Sequence, residues 1–266
     1  MERVAMHTGI RRTLVHAAVA GALLLCPQTA GADVVTWVVD DDKREAIVFA
    51  PSTPQGGRKV PLVFSFHGRG DNMQNFQHTN LHRAWPDAIV VYCQGLPTRA
   101  GGGLSGWQVE RGQDHDRDLK FVDRALASLR RQYPIDDDRI YATGFSNGGM
   151  FTYLLWAERP SVFAAYAPNA ARLRPSVQLK EPRPLFHIAG ERDQQVAFGD
   201  QQAAIAMAVG VNRVSEEPTS CGDGCRLYGS HTAAPVMTWI HRGGHDYPTG
   251  TAQRIAAFFR DHPRKH

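Results

Sequence analysis

Three residues of this chain have the types needed to build an activated nucleophile: Ser146, Asp193 and His245. A serine hydroxyl is inert toward carbonyl carbon at neutral pH. It needs a base, usually histidine, to take its proton, and the histidine needs an acid to orient it. Ser146 is the centre of Gly144-Phe-Ser-Asn-Gly148, a G-x-S-x-G pattern. When such a serine sits on a sharp strand-to-helix turn, its partners follow in the chain order Ser, Asp, His, each just past a strand. The chemistry is acyl transfer: attack on an ester-type carbonyl, an acyl-enzyme, then release by water. It requires no metal or cofactor.

The flanking sequence supplies the turn. Arg139-Ile-Tyr-Ala-Thr143 is short and β-prone, and Met150, Tyr153, Leu154 and Ala157 follow at helical spacing. A Cβ at Gly144 or Gly148 would crowd the bend, and Gly149 lets the helix pack close. The helix N-terminus points free N–H groups at the serine. His245 is the expected base, because Gly243-Gly244 permits a tight loop after the strand at 235–240. His241 is the rival, with too little chain to reach. Asp193 is the expected acid after the strand at 184–189; Glu191 and Asp200 are the alternatives. An oxyanion needs two backbone donors. These are assigned to Asn147 N–H and to Arg69 N–H, within His67-Gly-Arg-Gly70. The overlapping Arg69-Gly-Asp71 matches an integrin-binding tripeptide by coincidence, since this loop is needed for chemistry.

The elements that must hold these residues alternate. Residues 46–50, 61–66, 88–92, 139–143, 163–167, 184–189 and 235–240 read as strands, several apolar on both faces. Leu119, Val122, Leu126 and Leu129 mark one helix, residues 200–210 another, and Ile255, Phe258 and Phe259 a last one. Buried strands interleaved with helices predict an α/β three-layer sandwich with a mostly parallel sheet. A glycine-rich loop, Gly95 to Gly112, holds Trp107. Residues 168–183 contain three prolines and no apolar helical stripe, so no large cap and an open cleft are expected.

The chain has 266 residues and a net charge of +4, with no Lys/Arg block that would read as a nucleic-acid stripe. The aliphatic run Leu14–Leu25 follows Arg3, Arg11 and Arg12 and precedes Ala30-Gly-Ala32. It reads as a secretory signal peptide over residues 1–32, leaving residues 33–266 as one catalytic domain, secreted or periplasmic and off the membrane. Arg11-Arg12 hints at twin-arginine export in a poorly fitting context. Cys221-Gly-Asp-Gly-Cys225 predicts a small disulfide loop in an oxidising compartment; a zinc knuckle is the competing reading and lacks a second ligand pair. Cys93 reads as a buried free thiol.

His67-Gly-x-Gly70, Trp107, Asp118-Leu-Lys-Phe121, Tyr141-Ala-Thr-Gly-Phe-Ser-Asn-Gly-Gly-Met150 and Gly243-Gly-His-x-x-Pro248 together resemble the secreted esterase family of poly(3-hydroxybutyrate) depolymerases, feruloyl esterases and acetylxylan esterases. The likeness covers most of residues 45–260. It implies the α/β-hydrolase fold, the Ser146–His245–Asp193 triad and a small or oligomeric ester as substrate. It makes Asp118 structural and sets Trp107 beside the cleft as a substrate contact, against the plain reading of a packed core tryptophan. Two departures stand out: the charged Glu191-Arg192 before the acid, and Asp246-Tyr247 where Thr-Trp is usual. Both could reshape the pocket. The rival functions are a peptidase or thioesterase with the same triad, and a non-catalytic extracellular binding protein. An intact Ser, Asp and His in order speaks against the last.

Overall fold

The computed structural model describes residues 1, 31–51, 58–99, 102–214 and 217–264. The expected signal peptide lies outside the described residues, apart from its ends. Among the described residues there are twelve strands: β1 (Ala32–Val39), β2 (Asp42–Phe49), β3 (Val60–Phe66), β4 (Ile89–Cys93), β5 (Leu96–Pro97), β6 (Ser105–Gly106), β7 (Ile135–Phe145), β8 (Ala165–Asn169), β9 (Leu185–Gly190), β10 (Thr219–Gly222), β11 (Cys225–Tyr228) and β12 (Val236–His241). The α-helices are α1 (Met73–Phe76), α2 (Leu81–Ala84), α3 (Arg117–Gln132), α4 (Asn147–Glu158), α5 (Phe198–Asn212) and α6 (Thr251–Asp261).

Ten of these strands make one sheet in the order β1-β2-β4-β3-β7-β8-β9-β12-β11-β10. Its centre, β4 to β12, is parallel. Antiparallel strands finish both edges. The period of two along a strand divides the core between the faces. Leu62, Phe64 and Phe66 of β3 pack on one side with α3, α4 and α5. Val63 of the same strand packs on the other side with α1, α2 and α6. The central strands are therefore covered on both faces and largely apolar, and the three-layer sandwich follows.

The strands legible in the sequence are all present; most ends shift by one or two residues, while β2 and β7 each begin four residues earlier than expected. The edge strand β1 and the hairpin β10–β11 were not expected. Cys221 and Cys225 are joined by a disulfide that staples this hairpin, so neither is a thiolate available to zinc. Cys93 is free and buried, and burial pushes its thiol pKa up. No helix interrupts the chain between β8 and β9, in line with the expected absence of a cap. Among the described residues, no helix is long and apolar enough to cross a membrane.

Candidate active site

The candidate residues gather at the carboxyl ends of the central parallel strands. β7 ends at Phe145 and α4 begins at Asn147, so Ser146 alone makes the turn, with φ 55° and ψ −117°. A non-glycine residue in that region carries strain of roughly 1–3 kcal/mol, which its surroundings must impose. They do so by close approach. A Cβ on Gly144 would lie 2.4 Å from the Gly148 carbonyl, and one on Gly148 would lie 2.2 Å from Phe66 O. Ser146 N–H donates to Asn169 O at 2.8 Å, tying the turn to β8.

His245 comes from the loop after β12 and Asp193 from the turn after β9. Ser146 Oγ stands 2.8 Å from His245 Nε2, and His245 Nδ1 stands 2.8 Å from Asp193 Oδ2. The Asp193 side chain is fully buried and that of His245 is 9% exposed. Gln195 N–H and Val196 N–H both donate to Asp193 Oδ1 at 2.9 Å, and Gln201 Nε2 donates to Oδ2 at 3.0 Å. With donors facing both oxygens, Asp193 acts only as an acceptor. The proton on the imidazole therefore lies at Nδ1, leaving Nε2 to take the serine proton.

The rivals lie elsewhere. Glu191 is exposed at the strand end, and Asp200 pairs with Arg172 at 3.2 Å. His241 Nδ1 accepts from Gly243 N–H at 3.1 Å, and burial holds its pKa below the usual histidine value.

Beyond Asp193 the polar chain continues inward. Gln201 spends its amide N–H groups on Asp193 and on Val196 O, so its Oε1 faces His187 Nε2 at 3.4 Å. His187 Nδ1 in turn meets Tyr153 Oη at 2.7 Å. The order of donors fixes His187 as the neutral Nε2–H tautomer with Tyr153 donating. Burial presses its pKa down to about 4, in agreement. Sequence reasoning passed over Gln201. Its one visible sign is a glutamine on the apolar stripe 201, 204, 205 and 208 of α5.

The loop that carries Arg69 is set by His67, also missed as a functional residue although its motif was noted. The ring is fully buried, and burial lowers its pKa. Gly95 N–H donates to Nε2 at 2.9 Å, so Nδ1 carries the proton and donates to Gly68 O at 2.7 Å. The peptide is planar and trans, so holding that carbonyl aims Arg69 N–H the opposite way. Arg69 N–H makes no backbone hydrogen bond among the described residues. Asn147 N–H, first in α4, has no acceptor within its helix.

Trp107 borders the cleft, but it is only 1% exposed. The indole stacks on Phe151 and donates from Nε1 to His67 O at 2.9 Å. Its ring packs under the His67–Gly70 loop and keeps almost no surface to offer a substrate. The Asn147 side chain clips this segment to α4, accepting from Trp107 N–H at 2.7 Å and donating to Trp107 O at 3.0 Å. The neighbouring Gln108 accepts from Asp118 N–H at 3.0 Å, anchoring the loop to α3. Asp118 itself is buried against Arg44, a structural pair. Neither Glu191-Arg192 nor Asp246-Tyr247 lines the cleft; Tyr247 packs edge-on against Phe76 and Phe145. These two departures leave the pocket wall as it is. The cleft measures about 720 Å3.

No family model matches the chain. A protein named "Probable feruloyl esterase C" from Aspergillus clavatus is 30% identical over 235 residues, which is 82% of this chain and 82% of that one. The chain belongs to this esterase family. Its members are ester hydrolases. A bifunctional acetylxylan esterase/xylanase from Neocallimastix patriciarum is 32% identical over 160 residues, taking in 58% of this chain but only 22% of that longer protein. Among solved structures, an acetyl xylan esterase from Aspergillus awamori superposes with a TM-score of 0.62 over 86% of this chain and 99% of that one. At 12% identity that likeness speaks for the fold alone, which is the α/β-hydrolase sandwich of this esterase family.

Proposed function

We propose that this protein is a secreted serine esterase that cleaves carboxylic esters through an acyl-enzyme on Ser146, of the polyhydroxybutyrate depolymerase or feruloyl esterase type. The observation that carries the reading is the pair of 2.8 Å contacts linking Ser146, His245 and Asp193. In the first half-reaction Ser146 Oγ attacks the ester carbonyl while its proton passes to His245 Nε2. The imidazolium so formed is stabilised by Asp193, and the carbonyl oxygen takes up negative charge toward Arg69 N–H and Asn147 N–H. The C–O bond to the alcohol breaks, and His245 returns its proton to the departing oxygen. Water then attacks the acyl-enzyme, giving its proton to His245; as the acyl C–O bond to Ser146 breaks, His245 returns that proton to Oγ, and the acid leaves.

Secretion is inferred from the Arg-flanked aliphatic run and Ala30-Gly-Ala32. The open cleft favours small or oligomeric esters over a lipid interface. Purified Ser146→Ala should fold as the parent does and lose turnover of acetyl, feruloyl and 3-hydroxybutyryl esters by several orders of magnitude. Wild-type turnover in that variant would remove Ser146 from the mechanism. A parent protein inert toward every ester, thioester and amide tried would favour the binding-protein reading instead.

A further inference from the structure

The cleft wall around Ser146 is lined by three guanidinium groups, Arg69, Arg172 and Arg174, and by a single carboxylate, Asp71. A neutral acyl or sugar ester offers such a wall hydrogen-bond acceptors but no counter-charge. Sheet order spreads the arginines to both sides of the nucleophile. Arg69 follows β3, Ser146 follows β7, and Arg172 and Arg174 follow β8, in the sequence β3-β7-β8. Arg69 makes no ion pair among the described residues.

The other two are held by carboxylates that do not themselves line the cleft. Arg172 Nη1 donates to Asp200 at 3.2 Å. Arg174 donates to Glu110 Oε1 from Nε at 2.9 Å and contacts it from Nη2 at 2.7 Å. The hydrogen bond from Arg174 also keeps the Glu110 carboxyl below the usual carboxylate range. Each guanidinium has five N–H donors in a rigid fork, so these contacts leave several unused. Part-exposed pairs of this kind hold their partners only weakly. A carboxylate entering the cleft would find N–H donors to spare on two side chains that line its wall.

We infer that Arg172 and Arg174, with Arg69 across from them, form an anion subsite that selects esters carrying a free carboxylate. The inference rests on the serine-esterase reading above. The carboxylate could belong to the acyl chain, as in a dicarboxylic half-ester, or to the alcohol, as in an acylated uronic acid. The recognition chemistry is the same for both.

Two matched substrate pairs separate these sources. The acyl pair is p-nitrophenyl hexanoate against the p-nitrophenyl monoester of adipic acid. The alcohol pair is 2-O-acetyl methyl glucoside against 2-O-acetyl methyl glucuronoside. Each comparison is a ratio of kcat/KM within one enzyme preparation, so it does not depend on the folded fraction. The charged member of one pair should be preferred about tenfold at low salt, the scale of one or two well-placed charge-assisted contacts. The preference should shrink in 0.5 M NaCl, a concentration that screens such charges, and in Arg172→Gln/Arg174→Gln. The pair that shows it names the side of the ester bearing the carboxylate. Neutral esters turned over equally well or better in both pairs would overturn the anion subsite and leave the esterase reading intact. A preference that survives in the double variant would overturn the role of these two arginines. No turnover of any of the four esters would overturn the esterase reading itself.

Discussion

Asp118 and Asp193 are both aspartates with no exposed side-chain surface, and each sits among donors, yet they serve opposite ends. Asp118 Oδ1 accepts from Arg44 Nη2 at 2.7 Å, and its Oδ2 accepts from Gln108 N–H at 2.7 Å. Arg44 is itself fully buried, stacked 4.2 Å over the Phe121 ring, and donates to Arg117 O at 3.1 Å. A permanent cation thus cancels a permanent anion, and the pair fixes the Trp107–Gln108 segment against α3. Asp193 has no such cation. Its donors are two backbone amides, a glutamine and the His245 imidazole. Its charge is balanced by dipoles until His245 takes the serine proton. The pairing teaches that burial alone does not mark a functional carboxylate. The mark is a buried charge whose counter-charge is created during the reaction.

The largest expected effect separates the two at once. Asp193→Asn should lower kcat about 10⁴-fold by presenting the wrong imidazole tautomer, with a modest change in stability. Measured turnover close to the parent's would return the acid role to Glu191 or Asp200. Arg44→Met should do the reverse. Leaving buried Asp118 with only the longer contact to Arg117, at 3.9 Å, is expected to reduce unfolding free energy by about 3 kcal/mol, while kcat per folded molecule changes only a few-fold. Chemical denaturation and active-site titration of that variant read the two quantities. A dead but stable Arg44→Met would erase the contrast.

A smaller effect tests the inward extension of the Asp193 network. His187 has its folded pKa pressed from 6.5 to about 4 by burial. Between those values the unfolded chain binds a proton that the folded chain refuses, so stability falls as pH drops. The loss begins near pH 6.5, is complete near pH 4, and amounts to ~3 kcal/mol for a shift of this size. In His187→Gln the slope over that window should flatten. An unchanged slope would mean that His187 is not the group responsible.

Much of this was legible in the chain because local rules and global fold agree there. The run at 61–66 is apolar at every position but Ser65 because β3 is covered on both faces, and Gly144 and Gly148 are demanded by contacts of under 2.5 Å that no side chain could survive. The edge was harder. β1 buries only part of one face, leaving Val34 and Val38 exposed, so its pattern resembles neither a buried run nor a clean alternation. The hairpin β10–β11 is short, with β10 wholly exposed, and its disulfide was easier to foresee than its strands. Trp107 could not be placed from sequence, since an indole beside a cleft and one beneath it have the same letters around them. Gln201 and His187 gave no local sign of their partners, because the contacts that define them cross from α4 and β9 to α5.

The central claim is that Ser146 alone among the serines is activated, and covalent labelling tests it most directly. The parent protein would be treated with an alkyl fluorophosphonate, digested and sequenced by mass spectrometry. The account predicts one stoichiometric adduct, on Ser146, formed with loss of fluoride and parallel loss of esterase activity; Asp193→Asn should label far more slowly. An enzyme that still hydrolyses esters while unlabelled, or that carries the adduct on another residue, would contradict it.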